Sequence, residues 1–144
     1  MTDQVFEAAF QAARKSLSEG GIPIGAALAR GGEIVATGHN ARVQQGDPIA
    51  HGEMSALRAA GRQRSYRDTV LYTTLAPCAM CTGTIIQFKI PKVVVGEAET
   101  FPGEFDLLRS RGVEVVLLND ERCVDMMRNF QRDHAELWAE DIAK

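Results

Sequence analysis

The 144-residue sequence lacks long apolar runs, abundant cysteine and an excess of basic side chains. No segment approaches the roughly 20 apolar residues that a membrane-spanning helix needs, so we expect no membrane partner. Three cysteines are too few for a disulfide framework, which favours a reducing compartment. Residues 1–7 contain acidic side chains and no apolar segment of a secretory signal. These absences predict a cytoplasmic protein.

Basic charge is lacking because 16 lysines and arginines are outnumbered by 19 aspartates and glutamates, for a net charge of −3. Nucleic-acid binders usually carry the opposite balance, since phosphate contacts supply much of their affinity. We therefore expect a small-molecule ligand and no nucleic-acid partner. The apolar fraction of 45% is ordinary for a globular protein. Because no linker, repeat or low-complexity tract interrupts the chain, residues 1–144 are predicted to form one domain.

What the sequence does contain is a set of three metal ligands in two short motifs. His-Gly-Glu occupies residues 51–53, and Pro-Cys-Ala-Met-Cys occupies residues 77–81. Two cysteines three residues apart lie on one face of a helix, and a helix N-terminus favours the thiolate form. One imidazole and two thiolates suit zinc. We predict one zinc ion per subunit, bound by His51, Cys78 and Cys81.

Glu53 is the acidic residue of the first motif, and this ligand set does not need it. Three protein ligands leave one tetrahedral position of zinc for water, which is typical of catalytic rather than structural sites. Glu53 is then available as a general acid and base. His-x-Glu followed by Pro-Cys-x-x-Cys is the signature of zinc enzymes that deaminate bases. The two motifs therefore predict a zinc-dependent deaminase.

Two other interpretations of the motifs stay open. Cys-x-x-Cys in a reducing compartment can be a redox pair. A structural zinc module would need a fourth ligand, and Cys123, His39 and His134 are candidates without ligand spacing to the other three. The order of the two motifs and the position of Pro77 favour the catalytic site.

Hydrophobic periodicity predicts an initial helix and hairpin, followed by alternating helices and strands. Phe6, Phe10, Ala13 and Leu17 mark one face of the first helix. Strands are predicted at residues 24–29, 33–38, 69–74, 92–95 and 113–118, and later helices after Pro48, after Pro77, near 104–109 and from Asn119 or Asp120 onward as one long helix. Alternation favours a mostly parallel sheet with helices on both faces, and the hairpin makes the sheet mixed.

Several segments of the chain resemble the fungal-type cytosine deaminases of the cytidine deaminase superfamily. They are residues 38–42, 51–53, 71–83, 94–97, 120–123 and 138–142, so the resemblance covers almost the whole chain. It implies an α/β fold of three layers, an αβα sandwich around a mixed five-stranded sheet. It also implies a zinc-containing homodimer that hydrolyses free cytosine to uracil and ammonia in pyrimidine salvage.

The resemblance implies a reaction and a substrate pocket. Zinc-bound hydroxide would attack C4 of cytosine while Glu53 shuttles protons. The implied substrate contacts are Asn40 through its amide, Gly52 through its backbone N–H, Phe101 by stacking on the ring, Asp141 as acceptor from the exocyclic amine, Ala76 through its backbone carbonyl, and Trp138 and Ile24 as walls.

The chain departs from the fungal pattern in two places that bear on the substrate. Ala76 replaces the usual serine, which is tolerable because this position acts through its backbone carbonyl. Residues 98–104, which carry Phe101, differ in content from the fungal loop. Cytosine is the predicted substrate, with isocytosine, creatinine and guanine as alternatives. A tRNA adenosine deaminase fits the acidic charge poorly, and a structural zinc module leaves Glu53 without a role.

Overall fold

The computed structural model describes residues 3–144, in which helices and strands alternate after an initial helix and hairpin. The helices are α1 (Gln4–Ser18), α2 (Arg42–Gln45), α3 (Gly52–Ala60), α4 (Ala79–Gln87), α5 (Phe105–Ser110), α6 (Glu121–Asp133) and α7 (Ala135–Asp141). The strands are β1 (Gly25–Arg30), β2 (Glu33–His39), β3 (Thr69–Leu75), β4 (Lys92–Glu97) and β5 (Glu114–Leu117).

The strands form one five-stranded sheet in the order β2-β1-β3-β4-β5. β1 pairs antiparallel with β2 and with β3, whereas the β3–β4 and β4–β5 pairs are parallel. This confirms the predicted mixed sheet. The carboxyl ends of β3 and β4 reach the same edge, where Leu75 lies beside Glu97. Ligand sites of α/β sheets usually form at such an edge.

Both faces of the sheet are covered, which confirms the sandwich. Ala26 and Leu28 of β1 belong to a core shared with α3, α4 and α5. Ala27 and Ala29, which alternate with them, pack with α1 on the opposite face. Because successive side chains of a strand point to opposite faces, the buried run of β1 needs helices on both sides.

The first helix differs from its predicted stripe at one position. Phe6, Phe10 and Ala13 are buried, but Leu17 is 42% exposed and Ser16 is buried instead. The Ser16 hydroxyl donates a 2.7 Å hydrogen bond to the Asn40 carbonyl. A polar residue therefore occupies the last buried position because it satisfies a buried backbone acceptor.

The predicted last helix is two helices, separated at His134. No glycine or proline marks the break. α7 instead turns back so that Leu137 and Trp138 pack against a cluster containing Ile22 and Leu75. Of the two predicted caps for α6, Asp120 accepts from the Arg122 backbone N–H. Within residues 3–144, no helix is long and apolar enough to span a membrane.

Candidate active site

The three predicted metal ligands lie where two helices begin. His51 is the N-cap residue of α3, Cys78 is the N-cap residue of α4, and Cys81 lies in the first turn of α4. Helix N-termini carry partial positive charge, which favours ionised thiols. The fold therefore brings the ligands together and supplies a field that suits thiolates.

The spacing of the ligand atoms fits a zinc ion. His51 Nδ1 lies 3.4 Å from Cys78 Sγ and 3.8 Å from Cys81 Sγ. Zinc bonds of about 2.1 Å to nitrogen and 2.3 Å to sulfur, at a tetrahedral angle, place such atoms about 3.6 Å apart. His51 Nε2 lies 3.4 Å from Asp141 Oδ1, so the ring presents Nδ1 to the cysteines.

The two cysteines share their ionisation unequally. A hydrogen bond from Cys81 is the main reason that the pKa of Cys78 falls to about 4, and His51 contributes further against the opposing effect of burial. The pKa of Cys81 is raised well above its usual value by this hydrogen bond and by burial. Burial lowers the pKa of His51, but its hydrogen bond with Cys78 and the Asp141 and Glu53 carboxylates outweigh burial and raise it to about 9.

Glu53 stands next to the ligands in the first turn of α3 without joining the ligand group. Its side chain is buried. Burial, reinforced by the negative charge of Cys78, raises the pKa of Glu53 to about 7. A carboxyl group that titrates near neutral pH can both accept and donate protons. A metal ion beside it would favour the ionised form.

A small cavity opens onto these residues. Its volume is about 20 Å³, which is room for about one water molecule. The lining residues are Ile24, His51, Glu53, Leu75, Ala76, Cys78, Phe101, Trp138, Asp141 and Ile142. Phe101 meets Trp138 edge to face, with ring centroids 5.9 Å apart. The cavity has an aromatic wall of the kind that packs on a flat ring, and its lining must move apart before a free base can enter.

Asn40 and Gly52 have different positions from the other predicted pocket residues. Asn40 is fully buried and does not line the cavity. Its Nδ2 donates to Asp141 Oδ1 at 3.1 Å, and its Oδ1 accepts from the Arg42 backbone N–H at 3.0 Å. Gly52 lies against Ile24, whose carbonyl oxygen would be 3.1 Å from a Cβ atom at position 52. In this structure, Asn40 anchors the tail that carries Asp141.

Sequence reasoning missed two apolar lining residues, Leu75 and Ile142. Each adjoins a predicted site residue within a segment that resembles the family, but an apolar side chain there carries no chemical signal of its own. Sequence reasoning also missed the contact between Asp141 and His51. Burial raises the pKa of Asp141, against the opposing effects of His51 and Asn40.

These features define a class of protein. The fold is an αβα sandwich, and its sheet edge carries a three-ligand metal centre beside a buried carboxyl group that is free of the ligand set. Three ligands rather than four are typical of catalytic zinc. The arrangement is that of a zinc-dependent hydrolase acting on carbon–nitrogen bonds.

The chain belongs to the cytidine and deoxycytidylate deaminase family, whose "Cytidine and deoxycytidylate deaminase zinc-binding region" model matches residues 1–97. A cytosine deaminase of Candida albicans is 46% identical over 141 residues, which cover 96% of this chain and 94% of the relative. A tRNA-specific adenosine deaminase of Streptococcus pyogenes serotype M1 is 34% identical over 146 residues, covering 89% of this chain and 82% of the relative.

A solved structure from a study of tRNA:A34 deaminases and A-to-I editing has the same fold. Its TM-score is 0.79 at 25% identity, and the match covers 87% of this chain and 99% of that chain. The family model ends at residue 97, so it includes the metal motifs but neither Phe101 nor the tail. The match to the Candida protein extends over nearly the whole chain.

Proposed function

We propose that this protein is a zinc-dependent cytosine deaminase that converts free cytosine to uracil and ammonia. The observation that carries the proposal is the small cavity lined by two of the metal ligands, His51 and Cys78, together with Glu53 and an aromatic pair. The 46% identity to a protein named cytosine deaminase supports the same substrate.

Glu53 is the proton carrier in the proposed reaction. Zinc held by His51, Cys78 and Cys81 would make water nucleophilic near neutral pH. Glu53 takes one proton from that water and delivers it to ring nitrogen N3 as the oxygen adds to C4. Glu53 then takes the second proton from the hydroxyl on C4 and delivers it to the exocyclic amine, the carbon–nitrogen bond breaks, and ammonia leaves. The ring keeps a carbonyl at C4, which is uracil.

Other pocket residues hold the base for this proton transfer. Phe101 packs on the ring, and Asp141 with the backbone carbonyl of Ala76 accepts hydrogen bonds from the amine that leaves. The backbone N–H of Gly52 and the second amide hydrogen of Asn40 are the proposed donors for the ring carbonyl, which requires the base to move the tail that covers Asn40. Trp138 and Ile24 close the cavity, and a closed cavity has no room for a ribose on N1.

The proposal includes the oligomeric state of the enzyme, its compartment and its metabolic role. We infer a homodimer, with the surface at the end of α4 in its interface, because Phe88, the residue that follows α4, is a large apolar side chain that is 46% exposed. Three free cysteines, two of them placed as metal ligands, suit a reducing cytoplasm. Cytosine deamination serves pyrimidine salvage. The molecular mass in solution tests the dimer.

Ammonia release from a panel of substrates tests the proposed function. The panel contains cytosine, cytidine, isocytosine, creatinine, guanine and a tRNA with an adenosine at the wobble position. We expect zinc-loaded protein to act on cytosine about 10–100-fold faster than on cytidine, because a ribose that does not fit leaves buried polar groups unpaired, which costs about 1–3 kcal/mol. Efficient turnover of cytidine, or turnover of the tRNA alone, would contradict the free-base pocket.

A further inference from the structure

Glu97 is a buried carboxylate that the proposed reaction does not use. It is the last residue of β4, and it is only 1% exposed. Glutamate is almost never fully buried unless it has partners. The position of its partners therefore indicates what the side chain does.

All the side-chain partners of Glu97 belong to the loop that follows β4. Oε2 accepts from the backbone N–H groups of Glu99 at 2.8 Å and Thr100 at 2.9 Å, and Oε1 accepts from the Thr100 hydroxyl. The backbone carbonyl of Glu97 accepts from the Ala76 N–H at 3.0 Å. One residue thus joins the loop to the end of β3, beside the metal motif.

This loop, residues 98–104, carries Phe101 to the cavity. Its attachments to α6 lie nearer the surface: Arg128 pairs with Glu99 at 2.9 Å, with both side chains more than half exposed, and Gln131 donates to the Thr100 carbonyl at 3.2 Å. Exposed ion pairs contribute little to stability. The hydrogen bonds to Glu97 are the buried attachment of the loop.

The far end of the loop is confined as well. Gly103 has a positive φ of 65°, and a Cβ atom there would lie 2.7 Å from Ala76 Cβ and 2.9 Å from the Pro77 carbonyl oxygen. Phe101 therefore sits between a hydrogen-bonded clamp on one side and a close backbone approach on the other. Its ring position is set by the loop rather than by its own packing alone.

We propose that Glu97 is a positioning residue that clamps the 98–104 loop so that Phe101 is held against Trp138 and over the substrate. The proposal rests on the proposed function in that Phe101 is taken to pack on the base. Part of the affinity and specificity for the base would then depend on the Glu97 carboxylate, which does not contact the base.

The clamp is strongest with a carboxylate. An ionised carboxyl group is acceptor only, so two oxygens can face two N–H groups and a hydroxyl together. In an amide of the same size, the oxygen could still accept from both N–H groups, but the NH2 group could only donate, so the Thr100 hydroxyl would have to turn and accept. Glu97→Gln therefore replaces hydrogen bonds to a charged acceptor by weaker neutral ones, and reverses the one to Thr100, while conserving volume.

Glu97→Gln is the test, with Glu99→Gln as the matched control. Glu99 lies in the same loop, and its substitution removes one charge without removing a hydrogen bond to Glu97. We expect Glu97→Gln to raise KM for cytosine about tenfold, because hydrogen bonds to a charged acceptor are about twice as strong as neutral ones, and to change kcat less than KM. Loss of contacts present equally in substrate and transition state has this signature. The control should keep the parent values.

Fluorescence of Trp138 supplies a readout that needs no substrate. Trp138 is the only tryptophan in the chain, and Phe101 is its aromatic neighbour. Release of Phe101 should shift the emission to longer wavelength and increase quenching by acrylamide. We expect this change in Glu97→Gln and in Phe101→Leu, with no further change in the double variant, because residues that act through one contact are not additive.

A second pair of variants guards against misfolding of Glu97→Gln. Thr100→Val removes the hydroxyl donor to Glu97, and Thr100→Ser keeps it. The valine variant should show the same fluorescence change and the same rise in KM as Glu97→Gln, and the serine variant should match the parent in both. Fluorescence and KM equal to those of the parent in Glu97→Gln and Thr100→Val would overturn the clamp. A parent without cytosine turnover would instead refute the proposed function and leave the fluorescence test of the clamp intact.

Discussion

At the residue scale, the Asp141 side chain both contacts a predicted metal ligand and lines the cavity. Its Oδ1 lies 3.4 Å from His51 Nε2 and accepts from Asn40 at 3.1 Å, while the same side chain lines the cavity. Metal-bound histidines commonly donate their second ring N–H to a carboxylate, which orients the ring. Asp141 can therefore support the metal centre as well as the substrate.

Asp141→Ala should weaken both activity and zinc binding. An unpaired buried polar group costs about 1–3 kcal/mol, so kcat/KM for cytosine should fall by about one to two orders of magnitude. Loss of an outer partner of a metal ligand typically costs about 10–100-fold in metal affinity. Chelator competition measures the second effect.

The control for Asp141 is Glu140→Ala, because Glu140 lies in the same tail and is exposed where it pairs with Arg42. This control should bind zinc like the parent. Zinc affinity in Asp141→Ala equal to that of the parent would show that the His51 contact is incidental to the metal.

The ligand set and the carboxyl group were predictable because their chemistry is local in the sequence. Two motifs contain His51, Cys78, Cys81 and Glu53, and short spacings on helix starts determine how they meet. The tail anchor was not predictable in this way. Asn40 and Asp141 are 101 residues apart, and only the folded chain places them in contact.

At the scale of elements, Arg122 joins the two helices on one face of the sheet. Its guanidinium pairs with Glu7 of α1 at 2.7 Å and with Asp120 at 3.0 Å, and it lies 4.1 Å above the centre of the Phe10 ring. Hydrogen bonds from Arg122 are the main reason that the pKa of Asp120 is lowered. The ionised form of Asp120 thus stabilises the start of α6.

Asp120→Ala should lower the free energy of unfolding by about 1–2 kcal/mol at neutral pH, because it removes an N-cap. A carboxyl group with a lowered pKa stabilises the fold above its unfolded-state pKa, and this contribution is lost as pH falls through the folded-state pKa. The difference from the parent should therefore shrink on acidification. Urea unfolding at several pH values measures it, with Asp125→Ala, exposed on the same helix, as the control. A difference that stays constant with pH would contradict the role of the charge.

Strands were easier to predict than helix ends. Alternating and β-branched segments placed all five strands within a few residues of their observed bounds. No local signal predicted the break at His134, because the break follows from the packing of Trp138 against the apolar cluster that contains Ile22 and Leu75. Leu17 was misplaced for a similar reason, since a buried carbonyl selects Ser16 at the neighbouring position.

At the scale of the whole molecule, the cavity is assembled from parts that are distant in the sequence. The end of β3 and the starts of α3 and α4 supply the metal side, while the 98–104 loop and α7 supply the aromatic side. Closure of the cavity excludes water from the reacting base, which strengthens the electrostatic effects within it. The proposed specificity for a free base therefore depends on the whole fold, whereas the metal motifs alone define only the family.

The central claim is that zinc activates water and Glu53 moves the protons. The most direct measurement is ammonia release from cytosine by zinc-loaded Glu53→Gln, with the zinc content of the same sample determined. We predict a zinc content equal to that of the parent, a native fold, and a turnover rate reduced by about 10²–10⁴-fold, which is the usual contribution of general acid–base catalysis. Activity within a few-fold of the parent, with zinc retained, would contradict the account.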